Sequence, residues 1–232
     1  MLSELKEELI LSLKAEGYLK SQAVEQAFRN VPRENFLWEG TPAVEAYIDE
    51  PVPLGRTGQT ISAPHMVALM LEELDLSPGQ VVLEIGGGSG YNAALMGYIS
   101  SARARKIDRK LVYSVERNHD LVGFATRNIK NAGLSSVVEI IEGDGTLGYP
   151  EGAVEEIYDR ILVAAGAPRV PILLKKQLKA DGTMEIPVGD VFYQKLMKVR
   201  KTRKQSGEEI FTTEKLVDCM FVPLVGEDAH RM

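Results

Sequence analysis

The residues whose types and spacing could do chemistry gather at the ends of three apolar runs. The first run enters Val82-Leu-Glu-Ile-Gly-Gly-Gly-Ser-Gly-Tyr91, with glycines at 86, 87, 88 and 90 before helix-forming sequence. Glycines let the backbone turn tightly and approach a ligand, and the first N–H groups of the following helix can receive polar or anionic atoms. A dinucleotide fingerprint counted from Gly86 needs glycine at 91, where Tyr91 stands, so the loop is not cut for tight pyrophosphate packing. The second run, residues 111–116, ends in Glu116, where a carboxylate can accept hydrogen bonds from both hydroxyls of a ribose. The third, residues 137–141, leads to Gly143-Asp144-Gly145, a pattern that alone would be only a turn. Three such sites at successive strand ends describe the crevice in which open α/β sheets bind ligands.

The elements that must position these residues follow from periodicity. Leu2, Leu5, Leu9 and Leu13 fall at helical spacing, and Gly17 supplies a stop, predicting a helix over 2–16. A second helix is expected over 21–30. Residues 31–62 have little periodicity but carry Phe36, Trp38, Tyr47 and Ile48, which favour an ordered cover. A helix over 62–75 follows, then strands at 81–85, 111–116, 137–141, 160–164 and 184–188. Helices are expected from about 91, over 119–132 and over 170–179. Strands alternating with helices imply a parallel sheet covered on both faces. Residues 195–199 and 216–222 read as an antiparallel pair appended to it. The expected fold is α/β: a doubly wound, mostly parallel Rossmann-like sheet with an N-terminal helical extension and a C-terminal antiparallel strand pair. Residues 1–75 are read as helices and a covering loop integral to the domain, and 76–232 as its binding core.

Composition narrows the function classes. With 44% hydrophobic and 26% charged residues, the 232-residue chain can bury a core and carries no signature of disorder. No apolar run approaches the roughly 20 residues of a membrane-spanning helix. The acidic, amphipathic N-terminus lacks the basic start of a signal peptide, and a single cysteine, Cys219, read as a buried thiol, suits a reducing cytoplasmic setting. The net charge of -6 argues against a nucleic-acid partner. Two basic stretches, 103–110 and 198–204, run against that average and read as solvated loops. The histidines lie far apart and no Cys/His ligand cluster exists, so no metal site is expected.

Glu84, two residues ahead of the first glycine, completes an E-x-G-x-G-x-G arrangement that resembles the cofactor loop of class I methyltransferases. The resemblance then sharpens to one family, protein-L-isoaspartate O-methyltransferase. Its distinguishing element is Gly58-Gln-Thr-Ile-Ser-Ala-Pro-His-Met66. Other matching pieces are Val31-Pro-Arg-Glu-Asn-Phe36, Ser114-Val-Glu116, Gly143-Asp-Gly-Thr146, Tyr158-Asp-Arg-Ile161, Ile186-Pro-Val-Gly189 and Phe221-Val-Pro-Leu224. In the family's order they cover most of residues 20–225. Two departures stand out: Gly87 replaces the commoner Thr or Ser, and the segment 101–110 is extended, lengthening the path to Glu116.

The resemblance implies roles. Ser62 matches the active-site serine, beside the reacting carboxylate and the cofactor; from spacing alone it reads first as a helix N-cap, an order the resemblance reverses. Ile61 and His65 would line the same pocket, although His65 alone reads as a first-turn helix residue. Glu84, Gly86, Gly88, Ser89 and Gly90 would form the cofactor loop, Glu116 would bind ribose, and Asp144 with Gly145 would hold adenine. Gln194 would help at the cofactor or peptide site. The implied cofactor is S-adenosyl-L-methionine, leaving S-adenosyl-L-homocysteine, and the implied partners are isoaspartyl-containing proteins and peptides. The free α-carboxylate of such a residue, with a pKa near ~3.3–3.7, is ionised at neutral pH and needs no general base. Its attraction to a sulfonium favours binding but vanishes as the methyl transfers, so catalysis must come from alignment. The resemblance further implies that the ester leaves as the backbone nitrogen closes a succinimide. Other readings are an RNA or small-molecule methyltransferase of the same fold, a non-catalytic S-adenosylmethionine sensor, and an NAD-dependent oxidoreductase, the last opposed by Tyr91.

Overall fold

A computed structural model describes residues 1–102 and 109–229 of the chain. The basic stretch from Arg103 to Lys106 lies outside the described residues; inside them, the Lys110 ammonium donates to the carbonyl of Ser135.

The N-terminal part is built from short pieces that each bury one apolar face. Helix α1 (Leu2–Ala15) buries Leu9, Ile10 and Leu13. Helix α2 (Gln22–Asn30) is capped by Ser21, whose hydroxyl accepts from the Val24 amide at 3.2 Å. The stretch after it is ordered, with 3-10 turns at Arg33–Phe36 and Ala43–Tyr47. A short antiparallel pair follows, β1 (Val52–Pro53) and β2 (Thr60–Ile61). Aromatic side chains pin this cover to the core: Phe36 packs on Tyr91 at 5.3 Å between centroids and Trp38 on Phe124 at 4.8 Å. Helix α3 (Pro64–Leu74) then buries Val67, Met70, Leu71 and Leu74. Its N-cap is Ala63, Pro64 occupies the first helical position, and the His65 amide is satisfied by the Asp49 carboxylate at 2.8 Å. Ser62 therefore lies one residue outside the cap, and the capping role is excluded.

Beyond α3 the strands and helices alternate: β3 (Val82–Ile85), α4 (Tyr91–Ser101), β4 (Val112–Glu116), α5 (His119–Asn131), β5 (Val138–Glu142), β6 (Tyr158–Val163), α6 (Ile172–Gln177), β7 (Leu178–Gly189), β8 (Gln194–Arg203) and β9 (Glu209–Cys219). One seven-stranded sheet runs in the order β5-β4-β3-β6-β7-β8-β9. The first five strands pair in parallel, whereas β7–β8 and β8–β9 are antiparallel. The chain winds outward from β3 to β5, then returns to β6 beside β3, leaving a switch point at the carboxyl ends of β3 and β6. All four residues of β3 are buried, as a central parallel strand covered on both faces requires.

The doubly wound sheet with its antiparallel pair matches the sequence reading, with three local corrections. Helix α6 is shorter than 170–179 because Leu178, fully buried, already enters β7. Gln177 ends that helix by accepting from the Tyr149 amide at 3.0 Å and donating to the carbonyls of Pro150 and Ala153, both at 3.0 Å. The appended strands are longer than 195–199 and 216–222 and meet at a turn around Lys204–Glu208. Consequently the run 198–204 is not a solvated loop: most of it lies on β8. Lys198 is buried against Glu73 at 3.1 Å, and Lys201, only 1% exposed, bridges Glu156 at 2.7 Å and Glu209 at 3.0 Å. Carboxylates brought in by α3, the 156 loop and β9 neutralise these ammonium groups. Cys219, at the end of β9, is half-buried, and burial pushes its thiol up to about 11.

No helix among the described residues is long and apolar enough to cross a membrane.

Candidate active site

A cleft of about 560 Å³ opens at the switch point, a size suited to a drug-sized organic ligand. Its floor is the turn from β3 into α4. Gly86, Gly88 and Gly90 hold φ values of 88°, 54° and 83°, a region side chains other than glycine resist. The turn is braced from below: the Gly86 amide donates to Val115 at 2.9 Å, and the Asn128 side chain donates to the Ser89 carbonyl at 2.9 Å. Gly145 also lines the cleft, and a Cβ there would collide with Ile85, so glycine is required for close packing.

The Glu116 carboxylate stands at the cleft edge of β4. One oxygen accepts from the Gly88 amide and the other from the Asn118 amide, each at 2.8 Å. Two amides fix its position, and each oxygen keeps a lone pair for a ligand hydroxyl. The cleft is also lined by Thr60, Ile61 and Ser62, from β2 and the residues before α3. Ser62 is partly exposed.

Not every expected residue faces the cleft. Glu84 is fully buried behind the loop, accepting from the Ser114 hydroxyl at 2.5 Å. Burial, helped by the nearby Glu116 charge, pushes its carboxyl up to about 8. The His65 imidazole turns away, its Nδ1 3.0 Å from Asp49 and its ring against Tyr18 at 5.3 Å. Asp144 is consumed by its own surroundings: its carboxylate accepts from the Thr146 amide at 2.9 Å, the Thr146 hydroxyl at 2.7 Å and the Glu227 amide at 2.8 Å. Gln194 is buried and donates to the Asp190 carbonyl at 2.7 Å while accepting from the Phe221 amide at 2.6 Å.

Other residues join the site unannounced. Asn92, Arg117, Asn118 and Thr57 line it, as do Val191 and the segment Val222 to Val225. That segment is a strap laid across the sheet end. The Gly166 amide donates to Val222 at 2.8 Å and the Leu224 amide to Gly166 at 2.7 Å. Asn92, Arg117 and Asn118 follow directly on Tyr91 and Glu116, so adjacency to the motifs was the signal available. The strap carries the Phe221-Val-Pro-Leu224 motif, but its place at the cleft depends on contacts across more than fifty residues of chain.

A family model described as protein-L-isoaspartate(D-aspartate) O-methyltransferase matches residues 3–229. This chain belongs to that family. A protein-L-isoaspartate O-methyltransferase of Staphylothermus marinus is 49% identical over 213 residues, covering 91% of this chain and 89% of its relative. One from Methanopyrus kandleri is 47% identical over 226 residues, covering 97% and 93%. Among solved structures, a Plasmodium falciparum chain described as a protein-L-isoaspartate O-methyltransferase, in complex with S-adenosyl-L-homocysteine, superposes with a TM-score of 0.78 at 30% identity. The match covers 94% of this chain and 97% of that one. A Cβ on Gly87 would lie 2.5 Å from the Ser114 Oγ, so this position of the glycine turn has no room for a side chain while Ser114 stands as it does.

Proposed function

We propose that this chain is a repair methyltransferase that moves the methyl group of S-adenosyl-L-methionine to the free α-carboxylate of L-isoaspartyl residues in damaged proteins and peptides. The products are a methyl ester and S-adenosyl-L-homocysteine. The observation that carries this reading is that Ser62, the glycine turn and Glu116 line one and the same cleft. Family membership over residues 3–229 supports it, as does the S-adenosyl-L-homocysteine bound to the Plasmodium falciparum relative.

The residues present fit the cofactor. The glycine turn leaves room where side chains would otherwise project, and the fixed Glu116 carboxylate suits a ribose diol. Gly145 suits close packing against a flat adenine, and Asn92 and Asn118 offer neutral donors and acceptors. When bound, this group supplies an electrophilic methyl on a sulfonium. Asp144 acts at one remove in this reading, shaping the adenine end by holding Thr146 and the strap.

The chain's own contribution is alignment. Ser62 donates a hydrogen bond to the substrate carboxylate and fixes which oxygen faces the cofactor, without forming a covalent bond. Holding reacting groups in such register can contribute about 7–11 kcal/mol. Residues 1–75 act as an integral cover, and with the strap they exclude water from the reacting groups. The half-buried, high-pKa thiol of Cys219 suits the reducing cytoplasmic setting this reading assigns.

The test is methyl transfer to an isoaspartyl peptide by the chain and by Ser62→Ala. Loss of one hydrogen bond to a charged group should lower kcat/KM about 10- to 100-fold. Unchanged kcat/KM would remove Ser62 from its role, and absence of any ester with the unaltered chain would overturn the reaction.

A further inference from the structure

The rim of the cleft carries large apolar side chains in water. Phe192 is 83% exposed and Met220 77%, with Tyr193 beside them half-exposed. Their neighbour Val191 lines the cleft itself, as does Val222 on the other side of Met220. Exposed clusters of this kind mark contact surfaces more often than accidents.

The two tips that carry these side chains are held rigidly. Gln194 pairs with Cys219 across β8 and β9, so Tyr193 and Met220 emerge side by side where the strands end. The Phe192 and Tyr193 amides both donate to one Asp190 carboxylate oxygen at 2.8 Å, and the Asp190 amide donates to the Tyr193 carbonyl at 3.1 Å. Gln194 then ties both tips together through Asp190 and Phe221. The Tyr193 hydroxyl donates to Asp218 at 2.6 Å. Asp190 and Asp218 are thus occupied, the latter also by Lys215 at 2.7 Å. Ordering an exposed aromatic in this way removes the entropy a partner would otherwise have to offset.

We propose that Phe192 and Met220, with Val191, form a specificity subsite that receives an apolar side chain adjacent to the isoaspartyl residue of the substrate polypeptide. The inference rests on the proposed reaction: a substrate residue held in the cleft by its own backbone must carry its chain neighbours over this rim. The rim is apolar and continuous with the cleft, and its carboxylates are turned to internal partners. An aliphatic neighbour therefore gains contact there, and a small polar one gains nothing.

The experiment compares isoaspartyl peptides that differ only in having leucine or serine next to the damaged residue, placed before it and after it in turn. The unaltered chain should favour leucine in one of these placements by roughly fivefold in kcat/KM, the yield of partly burying one aliphatic side chain at an open rim. The double variant Phe192→Ser, Met220→Ser should bring that ratio close to one, through KM and with kcat unaltered, because the contact is the same in ground and transition states. Phe192→Leu, which keeps an apolar surface, should retain the preference. A ratio of one in the unaltered chain, or an equal preference in the double variant, would overturn the subsite while leaving the reaction standing. Methylation of neither peptide by the unaltered chain would overturn the reaction and the subsite together.

Discussion

Ser114 and Glu84 are direct register partners on β4 and β3, and the Ser114 hydroxyl donates to the Glu84 carboxyl at 2.5 Å. That hydroxyl stands where a side chain on Gly87 would have to go. One buried contact thus links the strand beneath the glycine turn to the composition of the turn itself. Gly87→Ala should weaken cofactor binding by displacing Ser114 or the loop, at a cost of about 1–3 kcal/mol for overpacking. Ser114→Gly in the same chain should recover much of the loss, since it clears the space. Binding calorimetry on the two singles and the double closes the cycle; additive effects would show the residues to be independent.

Glu84 also gives the folded chain a pH dependence. Its carboxyl is raised from 4.5 to about 8, chiefly by burial. Between those values the folded chain keeps the proton and the unfolded chain does not, so this stabilisation is complete below pH 4.5 and is lost as pH rises through about 8. The cofactor-free chain should lose stability on the order of a few kcal/mol across that window. Buried Glu185 is raised in the same direction, so Glu84→Gln should flatten the slope without abolishing it. Urea melts at several pH values measure this, and an unaltered slope in Glu84→Gln would contradict it.

The strap depends on Asp144. Its carboxylate accepts from the Glu227 amide, and the Asp228 amide donates to the Thr146 hydroxyl at 3.2 Å, while the Asp228 carboxylate meets Arg169. Asp144→Ala removes the acceptor for both Thr146 and Glu227, and a hydrogen bond to a charged group contributes about 1.5–3 kcal/mol net. The expected result is faster proteolysis within residues 222–229 and a faster cofactor off-rate. Unchanged proteolysis and off-rate would show that Leu224 and the Gly166 bridge hold the strap unaided.

Arg33 is buried over the Tyr91 ring at 5.2 Å, and its three side-chain nitrogens have no hydrogen-bond partner among the described residues. Burial pushes its guanidinium down from the usual arginine range. Since an unpaired buried charge costs more than the ring contact returns, Arg33→Met should raise Tm by about 2–4 °C. A fall of the same size in thermal melts would contradict that balance.

The strand ends were legible in the sequence because each couples an apolar run to a residue type with a local job: glycine where φ is positive, Glu116 where two amides converge. Side-chain direction was less legible. His65 sits one helical turn from Ser62 in sequence yet faces Asp49, because Asp49 arrives from the cover and claims it. Lys201 looked solvated because the carboxylates that bury it, Glu156 and Glu209, come from elsewhere in the chain. Gln194 and Asp144 were recognisable by motif, but their hydrogen bonds to the C-terminal segment depend on tertiary closure that no local pattern encodes.

The central claim is tested most directly by transfer of labelled methyl from S-adenosyl-L-methionine to paired peptides of one sequence, containing either L-isoaspartate or normal L-aspartate. A base-labile methyl ester on the isoaspartyl peptide alone is the predicted result. No ester on either peptide, with cofactor binding verified, or equal transfer to both, would contradict it.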